Sequence, residues 1–257
     1  MTSELEFPDL LRLIDERSRA FRSAVWTAAS LDVPVPTCPE WSLLDLVHHL
    51  GEGRRSWAAT VAAGPAATSR VRPPSDGDAA APSEPDALDG WLAASTRQLL
   101  DALRGAGPER GCWTWWGDSQ SPGTCGAVAR HQLQEIAVHT YDAQLTVGTP
   151  QPLPDAVALD GVEEFLSTCC ATTSPWPHEP AVVDYAATEG RSWRLWVSAD
   201  GARTAPLPET AGPVDARVTG TASEIVLAAF YGRRPLEALT IEGDREVIDR
   251  LIAWEPE

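Results

Sequence analysis

Lysine is absent from this chain, and all 20 basic residues are arginine, against 37 acidic residues in 257. Catalysis through a lysine Schiff base is therefore excluded. The formal net charge of −17 and a pI near 4.6 argue against nucleic acid or an anionic membrane surface as a partner, because both require a basic face. The charge balance favours a monomer or a weak homodimer, and arginine in place of lysine is typical of a GC-rich genome.

Cysteine is scarce and forms no pattern. The count of five is odd and no pair has C-x-x-C spacing, which excludes a disulfide framework and a cysteine zinc cluster. The acidic N-terminal residues 1–6 lack an apolar signal core. No run of about 18 apolar residues occurs, so no membrane span is expected, and we expect a cytoplasmic protein.

Helical spacing dominates the first part of the chain. Ser42 is a candidate N-cap, with Asp45 three residues later as a capping-box variant. Four helices joined in this way predict a bundle, in which facing helices can hold a metal ion. The predicted helices are residues 8–29, 42–63, 87–103 and 122–148, with a fifth at 154–170.

The segments between these helices are predicted loops. Residues 32–40 are rich in proline, and residues 64–89 are rich in Ala, Pro, Ser, Asp and Gly without an apolar period. The second segment predicts a long connection that could form a lid. Residues 111–124 form a loop that contains Trp113, Trp115 and Trp116.

The chain changes character near residue 175. Strand-like segments and two helical segments then alternate, which predicts a small α+β domain. We therefore expect a helical bundle over residues 1–175 and the α+β domain over residues 176–257. The predicted strands are 181–186, 192–198, 214–219 and 239–241, and the predicted helices are 223–231 and 244–254.

A polar cluster on the fourth predicted helix is the main candidate for chemistry. Glu135 and His139 are four residues apart, so both lie on one helix face. His131 and Asp142 fall within the same roughly 80° of arc, beside valines, which is unlike a solvated face. The alternative is a histidine–glutamate pair that is satisfied inside the bundle, since E-x-x-x-H alone is a weak signal.

A third ligand can come from the second predicted helix, where His48 and His49 are adjacent. Periodicity does not choose between them, although Gly53, four residues after His49, leaves room for a close approach. Two imidazoles and a carboxylate suit zinc and leave a fourth position open, as in catalytic sites. Nickel and iron accept the same ligands, and zinc is the first expectation.

At these residues the chain resembles the mycothiol-dependent maleylpyruvate isomerase family, within the DinB-like group of metal-binding bundles. Residues 35–41 and 45–51 are similar to its Pro-x-Trp and D-L-V-x-H-L-G signatures. Residues 135–143 are similar to its H-E-x-x-V-H-R-W-D-A segment. Residues 218–225, 231–235 and 241–244 follow the order of motifs in its second domain.

The resemblance implies an α+β fold, with a DinB-like four-helix bundle followed by a small α+β C-terminal domain of the sterol-carrier type. It also implies a zinc site made by His49, Glu135 and His139, and mycothiol, the main small thiol of actinobacterial cells, as cosubstrate. A zinc ion would stabilise the thiolate for attack on a small-molecule electrophile.

Two reactions follow from such an attack. Addition alone gives a mycothiol S-transferase of detoxification or specialised metabolism, and addition followed by elimination gives a maleylpyruvate isomerase. The chain departs from the family at Gln134, where histidine is frequent, and at Thr140, where arginine is usual. Both departures could alter what binds beside the metal, so the S-transferase is the first expectation.

Further roles are predicted for individual residues. Arg233 or Arg234 would bind a substrate carboxylate if the second domain closes over the metal, although a solvated turn is an alternative. Trp113 and Trp116 would wall a pocket for the cosubstrate, or pack the loop. Asp142 would orient a ligand histidine, or lie on the helix surface.

Two other classes of function are open. A metal hydrolase is disfavoured, because Glu135 as a ligand leaves no obvious general base. A non-catalytic protein that binds a small molecule or metal for self-resistance would require the same fold without turnover.

Overall fold

The computed structural model describes residues 5–73, 81–82, 84–208 and 212–255. The chain separates into two compact units. The helical unit contains Leu5–Trp115 and Gly123–Gln151, and the α+β unit contains Trp116–Pro122 and the described residues from Pro152 onward. A domain boundary at residue 175 stays a prediction.

The four predicted helices of the bundle are confirmed. Their inward faces bury large apolar side chains, among them Ile14, Phe21 and Leu133. The fourth helix begins after Thr124, whose hydroxyl accepts the Ala127 N–H at 3.3 Å, so the expectation that Pro122 opens it is wrong. The helices are α1 (Phe7–Val25), α2 (Leu43–Ala63), α3 (Pro85–Ala106) and α4 (Cys125–Thr146).

A short hairpin precedes α2 where the sequence predicted only a loop. Strands β1 (Pro34–Val35) and β2 (Cys38–Ser42) pair antiparallel, and Val35 is fully buried. The predicted cap at Ser42 is confirmed: its hydroxyl accepts the Asp45 N–H, while the Asp45 carboxylate accepts the Ser42 N–H. The hairpin therefore leads directly into the first turn of α2.

Close packing of α2 on α3 depends on a glycine. A Cβ atom at Gly51 would overlap the indole of Trp91, which is buried against it. After α2, a single 3-10 turn (Gly64–Ala66) begins the connection to α3. The predicted long connection over residues 64–89 falls partly on residues 74–80 and 83, which lie outside the described residues.

The α+β unit is built on a five-stranded sheet with the order β5-β4-β3-β6-β7. Strands β3 and β6 are parallel and the other neighbours are antiparallel. The four predicted strands are confirmed, but β5 was missed because its sequence, GARTAP, has no apolar alternation. The strands are β3 (Ala181–Ala187), β4 (Ser192–Ser198), β5 (Gly201–Pro206), β6 (Ala216–Gly220) and β7 (Thr240–Gly243).

Among the described residues, three helices and a 3-10 turn (Leu236–Ala238) complete the unit. The sequence predicted all three helices, but it assigned the first of them to the bundle domain. Helix α5 (Asp155–Phe165) continues into a π-helical turn (Leu166–Cys170), and α6 (Ala222–Glu224) continues into another (Ile225–Phe230). Helix α7 is Arg245–Ala253. The expected α+β class, a helical bundle followed by a small α+β domain, is confirmed. Among the helices that the structure describes, none combines the length and hydropathy that a membrane span requires.

Candidate metal centre

Helices α2 and α4 face each other with side chains spaced one turn apart. On α2 these residues are His49 and Gly53, which lie opposite Glu135 of α4, and Trp57, which lies opposite His131. His49 Nε2 is 3.4 Å from Glu135 Oε1, a Cβ atom placed on Gly53 would be 3.8 Å from the same oxygen, and the rings of Trp57 and His131 are centred 6.4 Å apart. The i, i+4 spacing on both helices therefore places polar and aromatic side chains along the groove between α2 and α4.

Three side chains from α2 and α4 converge on one point. One ligand atom from each of His49, Glu135 and His139 can be chosen so that all lie within 4.8 Å of one another. Their side chains are 39%, 20% and 13% exposed, so the cluster opens to solvent on the His49 side. Two imidazoles and one carboxylate are a donor set that fits a divalent ion and leaves a coordination position for a ligand.

A buried carboxylate orients the imidazole of His139. Its Nδ1 lies 2.9 Å from Asp142 Oδ2, and Asp142 is fully buried. The second carboxylate oxygen accepts the Thr37 hydroxyl at 2.6 Å. Since a carboxylate at Nδ1 fixes the tautomer, Nε2 of His139 is the nitrogen left for a metal. The position of Asp142 agrees with the orienting role expected of it.

Glu135 is held as a carboxylate. Burial raises its pKa, but the hydrogen bond with His49 and the nearby His131 and His139 outweigh burial and lower it to about 2. The Gln132 amide also donates to the free carboxylate oxygen. Glu135 is therefore ionised at neutral pH, as a metal ligand must be.

The structure distinguishes the two adjacent histidines. His48 lies on the α3 side of α2, with its ring edge towards Trp91 at a centroid distance of 6.3 Å. His49 lies on the α4 side, 5.3 Å from the ring of His139. Only His49 therefore belongs to the metal cluster.

Aromatic side chains surround the cluster, and two of them were not predicted from the sequence. Trp41 of β2 lies beside His49 at a centroid distance of 4.7 Å. Trp57 lies 6.1 Å from Trp113, and the half-exposed Trp115 lies 5.6 Å from His131. Trp113 therefore packs beside Trp57, and its predicted role in binding the cosubstrate stays a prediction.

The other predicted site residues belong to the α+β unit. Trp116 is buried and its indole N–H donates to Pro122 O at 3.4 Å. Arg233 donates to Tyr231 O at 2.9 Å, and Arg234 lies 3.8 Å from Glu224. The roles of these three residues in binding cosubstrate or substrate stay predictions.

The two departures from the family pattern lie off the cluster. Thr140 is buried, and its hydroxyl bonds to Ile136 O at 2.6 Å and to Arg17 O of α1 at 3.2 Å. Gln134 is 1% exposed and is the residue immediately before Glu135 in α4. Thr140 therefore faces α1 and does not contact the metal cluster.

Comparison with known proteins agrees with this architecture. The model of the mycothiol maleylpyruvate isomerase N-terminal domain matches residues 11–144, and that of the MDMPI C-terminal domain matches residues 156–250. The chain belongs to the mycothiol maleylpyruvate isomerase family. It is thus similar to enzymes that depend on mycothiol, and the family predicted from the motifs is confirmed.

Solved structures of the family share the fold. The chain is 12% identical to the mycothiol-dependent maleylpyruvate isomerase, with a TM-score of 0.60 and 93% of each chain covered. A variant of that isomerase with one histidine replaced by alanine is 13% identical, with a TM-score of 0.56 and the same coverage. No curated protein sequence matches the chain.

Proposed function

We propose that this chain is a mycothiol-dependent isomerase of the maleylpyruvate type, with a zinc ion held by His49, Glu135 and His139. The observation that carries the proposal is the convergence of these three ligands within 4.8 Å at the open side of a groove. A solved structure with this fold is a maleylpyruvate isomerase, and the chain belongs to the same family.

A bound zinc ion would keep a thiol ionised at neutral pH, where the free group has a pKa of about 8.5. The residues of the chain support that role. Asp142 orients the imidazole of His139, and Glu135 supplies a negative charge to the metal. His49 is the most exposed of the three ligands, so a thiol can enter from its side.

Four of the five cysteines of the chain are unsuited to supply the reactive thiol. Burial raises the pKa of the Cys112 and Cys170 thiols to about 12, and it raises the pKa of Cys125 and Cys169 as well. These thiols stay protonated at neutral pH, and none belongs to the metal cluster. A thiol cosubstrate is consistent with this distribution.

The isomerisation needs addition and elimination at one carbon–carbon double bond. The thiolate sulfur forms a bond to one alkene carbon, the remaining single bond rotates, and loss of the same thiolate restores the double bond in the trans form. No atom is gained or lost and the thiol is regenerated. The cluster needs only to hold the thiol and the substrate together.

Mycothiol S-transfer is the second candidate, because it uses the same addition step at the same open coordination position. Thr140 was the main sequence argument for preferring it, and the hydroxyl of Thr140 is turned to α1. A non-catalytic binding protein would use the cluster without turnover.

The first test is the metal content of paired variants. We expect about one zinc per chain in the unmodified protein and in His48→Ala, and loss of zinc in His49→Ala and His139→Ala. His48→Ala is the matched control, because it removes the adjacent imidazole that faces Trp91. Full zinc content in both His49→Ala and His139→Ala would contradict the ligand assignment.

The second test follows free thiol during the reaction. With zinc-loaded protein, mycothiol and maleylpyruvate, an isomerase forms the trans product while the free thiol concentration stays constant. An equimolar loss of thiol would replace the isomerase proposal with S-transfer. Binding of both compounds without product would replace it with a binding protein.

A further inference from the structure

An arginine that the sequence did not single out lies beside the metal cluster. Arg70 follows α2 in the connection to α3, and its Nη2 would lie 3.6 Å from a Cβ atom placed on Gly53. The same Cβ position is 3.8 Å from Glu135 Oε1. Arg70 and Glu135 therefore border one small space, which exists because residue 53 has no side chain.

The position of Arg70 is built by buried groups of α2. Its Nε donates to Ser56 Oγ at 2.8 Å, and its Nη2 lies 3.5 Å from Gly53 O. The next residue is fixed as well: Ser56 donates to Val71 O at 2.6 Å, and Val71 N–H donates to Thr60 Oγ1 at 3.0 Å. Ser56 and Thr60 are both buried.

The guanidinium is also held over an aromatic ring. Its carbon lies 5.8 Å from the centroid of Trp57, within the range of a cation–π contact. Trp57 is the residue whose ring also approaches His131. Arg70 and His131 therefore both lie near the same indole ring.

The guanidinium of Arg70 has N–H groups that its hydrogen bonds within the protein do not use. A guanidinium carries five N–H groups, and Ser56 Oγ and Gly53 O are its hydrogen-bond acceptors among the residues that the structure describes. Within that part of the chain no carboxylate forms an ion pair with Arg70, although acidic residues outnumber basic ones by 37 to 20. A planar, always charged fork of this kind is suited to bind a carboxylate with two parallel hydrogen bonds.

We infer that Arg70 binds a carboxylate of the electrophilic substrate and so positions the reacting carbon next to the metal ligands. This inference rests on the proposed function and names the residue that recognises a carboxylate of its substrate. Arg70 determines which electrophiles enter the groove, and the thiol cosubstrate does not depend on it.

The test uses Arg70→Gln, Arg70→Lys and a matched control, Arg72→Gln. Arg70 and Arg72 are both exposed residues of the same segment, so Arg72→Gln removes the same charge at similar exposure and leaves the group beside Gly53 in place. Succinate serves as the probe for binding to the zinc-loaded protein by calorimetry, since it has two carboxylates and no double bond. Succinamide serves as the uncharged counterpart.

We expect Arg70→Gln to weaken succinate binding by about 10-fold to 100-fold, the range for one charge-assisted interaction. Arg70→Lys should recover part of the loss, because lysine keeps the charge but not the fork. Arg72→Gln should change it less than about 3-fold, and succinamide should bind equally to all four proteins. Zinc content and melting temperature should match the unmodified protein throughout.

Kinetics supply an independent readout. In Arg70→Gln the KM of the electrophile should rise while the KM of mycothiol stays constant. Unchanged succinate binding, an equal loss in Arg72→Gln, or a rise in the mycothiol KM alone would overturn the inference. The unmodified protein can also bind succinate without showing turnover, while Arg70→Gln binds succinate more weakly. That result would contradict the proposed function and support the carboxylate site at Arg70.

Discussion

Asp142 is the residue that links the imidazole of His139 to the hydroxyl of Thr37. It has no exposure to solvent, and each of its oxygens has a separate partner. A carboxylate in this position orients a ligand histidine and increases its basicity. Metal affinity should therefore depend on a residue that does not bind the metal.

Replacing Asp142 with asparagine tests that dependence. Asp142→Asn keeps the volume but loses the negative charge, and we expect zinc affinity to fall by about 10-fold to 100-fold. Competition with a chromophoric chelator measures the change. Thr37→Ser, which keeps the hydroxyl, is the control and should bind zinc normally. Affinity within 2-fold of the original in Asp142→Asn would show that His139 is oriented by packing alone.

At this scale the sequence predicted some positions and not others. Glu135 and His139 could be found because their spacing places them on one helix face. Periodicity alone could not separate His48 from His49, since the choice depends on Trp91 of another helix, and it was the family resemblance that indicated His49. Arg70 lies in a segment without periodicity, and only its bonds to Ser56 bring it to the groove.

Helix α2 has two glycines within one turn, Gly51 and Gly53, and their surroundings differ. Gly51 lets Trp91 pack against the helix, whereas a Cβ atom at Gly53 would meet only ordinary van der Waals neighbours. The second glycine is therefore not required by packing. Its open space belongs to the groove between Arg70 and Glu135.

Gly53→Ala should separate stability from binding. Removing glycine from a helix interior stabilises a protein by about 0.5–1 kcal/mol, but the new methyl group fills the space beside Glu135. We expect a higher melting temperature and a KM for the electrophile that is raised several-fold. Thermal unfolding and steady-state kinetics measure the two effects.

Gly90→Ala is the control for that experiment. Gly90 lies on α3, and nothing is within 4 Å of its Cβ position. The substitution should give the same gain in stability with unchanged kinetics. An unchanged KM in Gly53→Ala would mean that the space at Gly53 is not used by the substrate.

The sheet of the α+β unit contains a buried ion pair. Asp184 of β3 accepts two bonds from Arg194 of β4, at 2.6 and 3.0 Å, and one from Arg217 of β6 at 3.1 Å. Neither Asp184 nor Arg194 is appreciably exposed. One carboxylate therefore ties three adjacent strands together.

Asp184→Asn should destabilise the protein by about 3–5 kcal/mol, because it leaves the buried Arg194 without a counter-charge. Urea unfolding measures the loss. Asp249→Asn removes a carboxylate from an exposed pair with Arg245 and should cost less than about 1 kcal/mol. Equal losses in the two variants would indicate that burial of the pair has no importance here.

Elements with a strong apolar period were predicted, and those without one were missed. The β1–β2 hairpin contains Pro34, Pro36 and Pro39, and it has one buried apolar residue, Val35. With prolines this frequent and one buried position, the segment shows no strand-like alternation in its sequence. Strand β5 gains its place by pairing with β4 and has no pattern of its own. In both cases the structure depends on contacts between residues that are distant in sequence. The local sequence pattern therefore could not predict these strands.

The net charge of −17 acts on the whole molecule. Like charges repel one another in the compact state, and salt screens that repulsion. Raising NaCl from 10 to 300 mM should stabilise the protein by about 1 kcal/mol, which corresponds to a rise of about 2–4 °C in melting temperature. Scanning calorimetry measures the shift, with sucrose as an uncharged control. A melting temperature independent of salt would show that local ion pairs already balance the charge.

At the scale of the molecule, the fold is kept at 12% sequence identity over 93% of the chain. A fold shared at that identity depends on the order and periodicity of its elements more than on particular side chains. Such a pattern is readable in one sequence, because it depends on periodicity and not on which apolar residue fills each position.

The hairpin before α2 contributes both Trp41, beside His49, and Thr37, which holds Asp142. Two-stranded hairpins are marginally stable alone, so this one and the metal should stabilise each other. Coupling of that kind is reciprocal. Zinc should slow amide hydrogen exchange in the hairpin, and any substitution that loosens the hairpin should weaken zinc binding by the same free energy. A segment that donates no ligand would thereby set how tightly the ion is held.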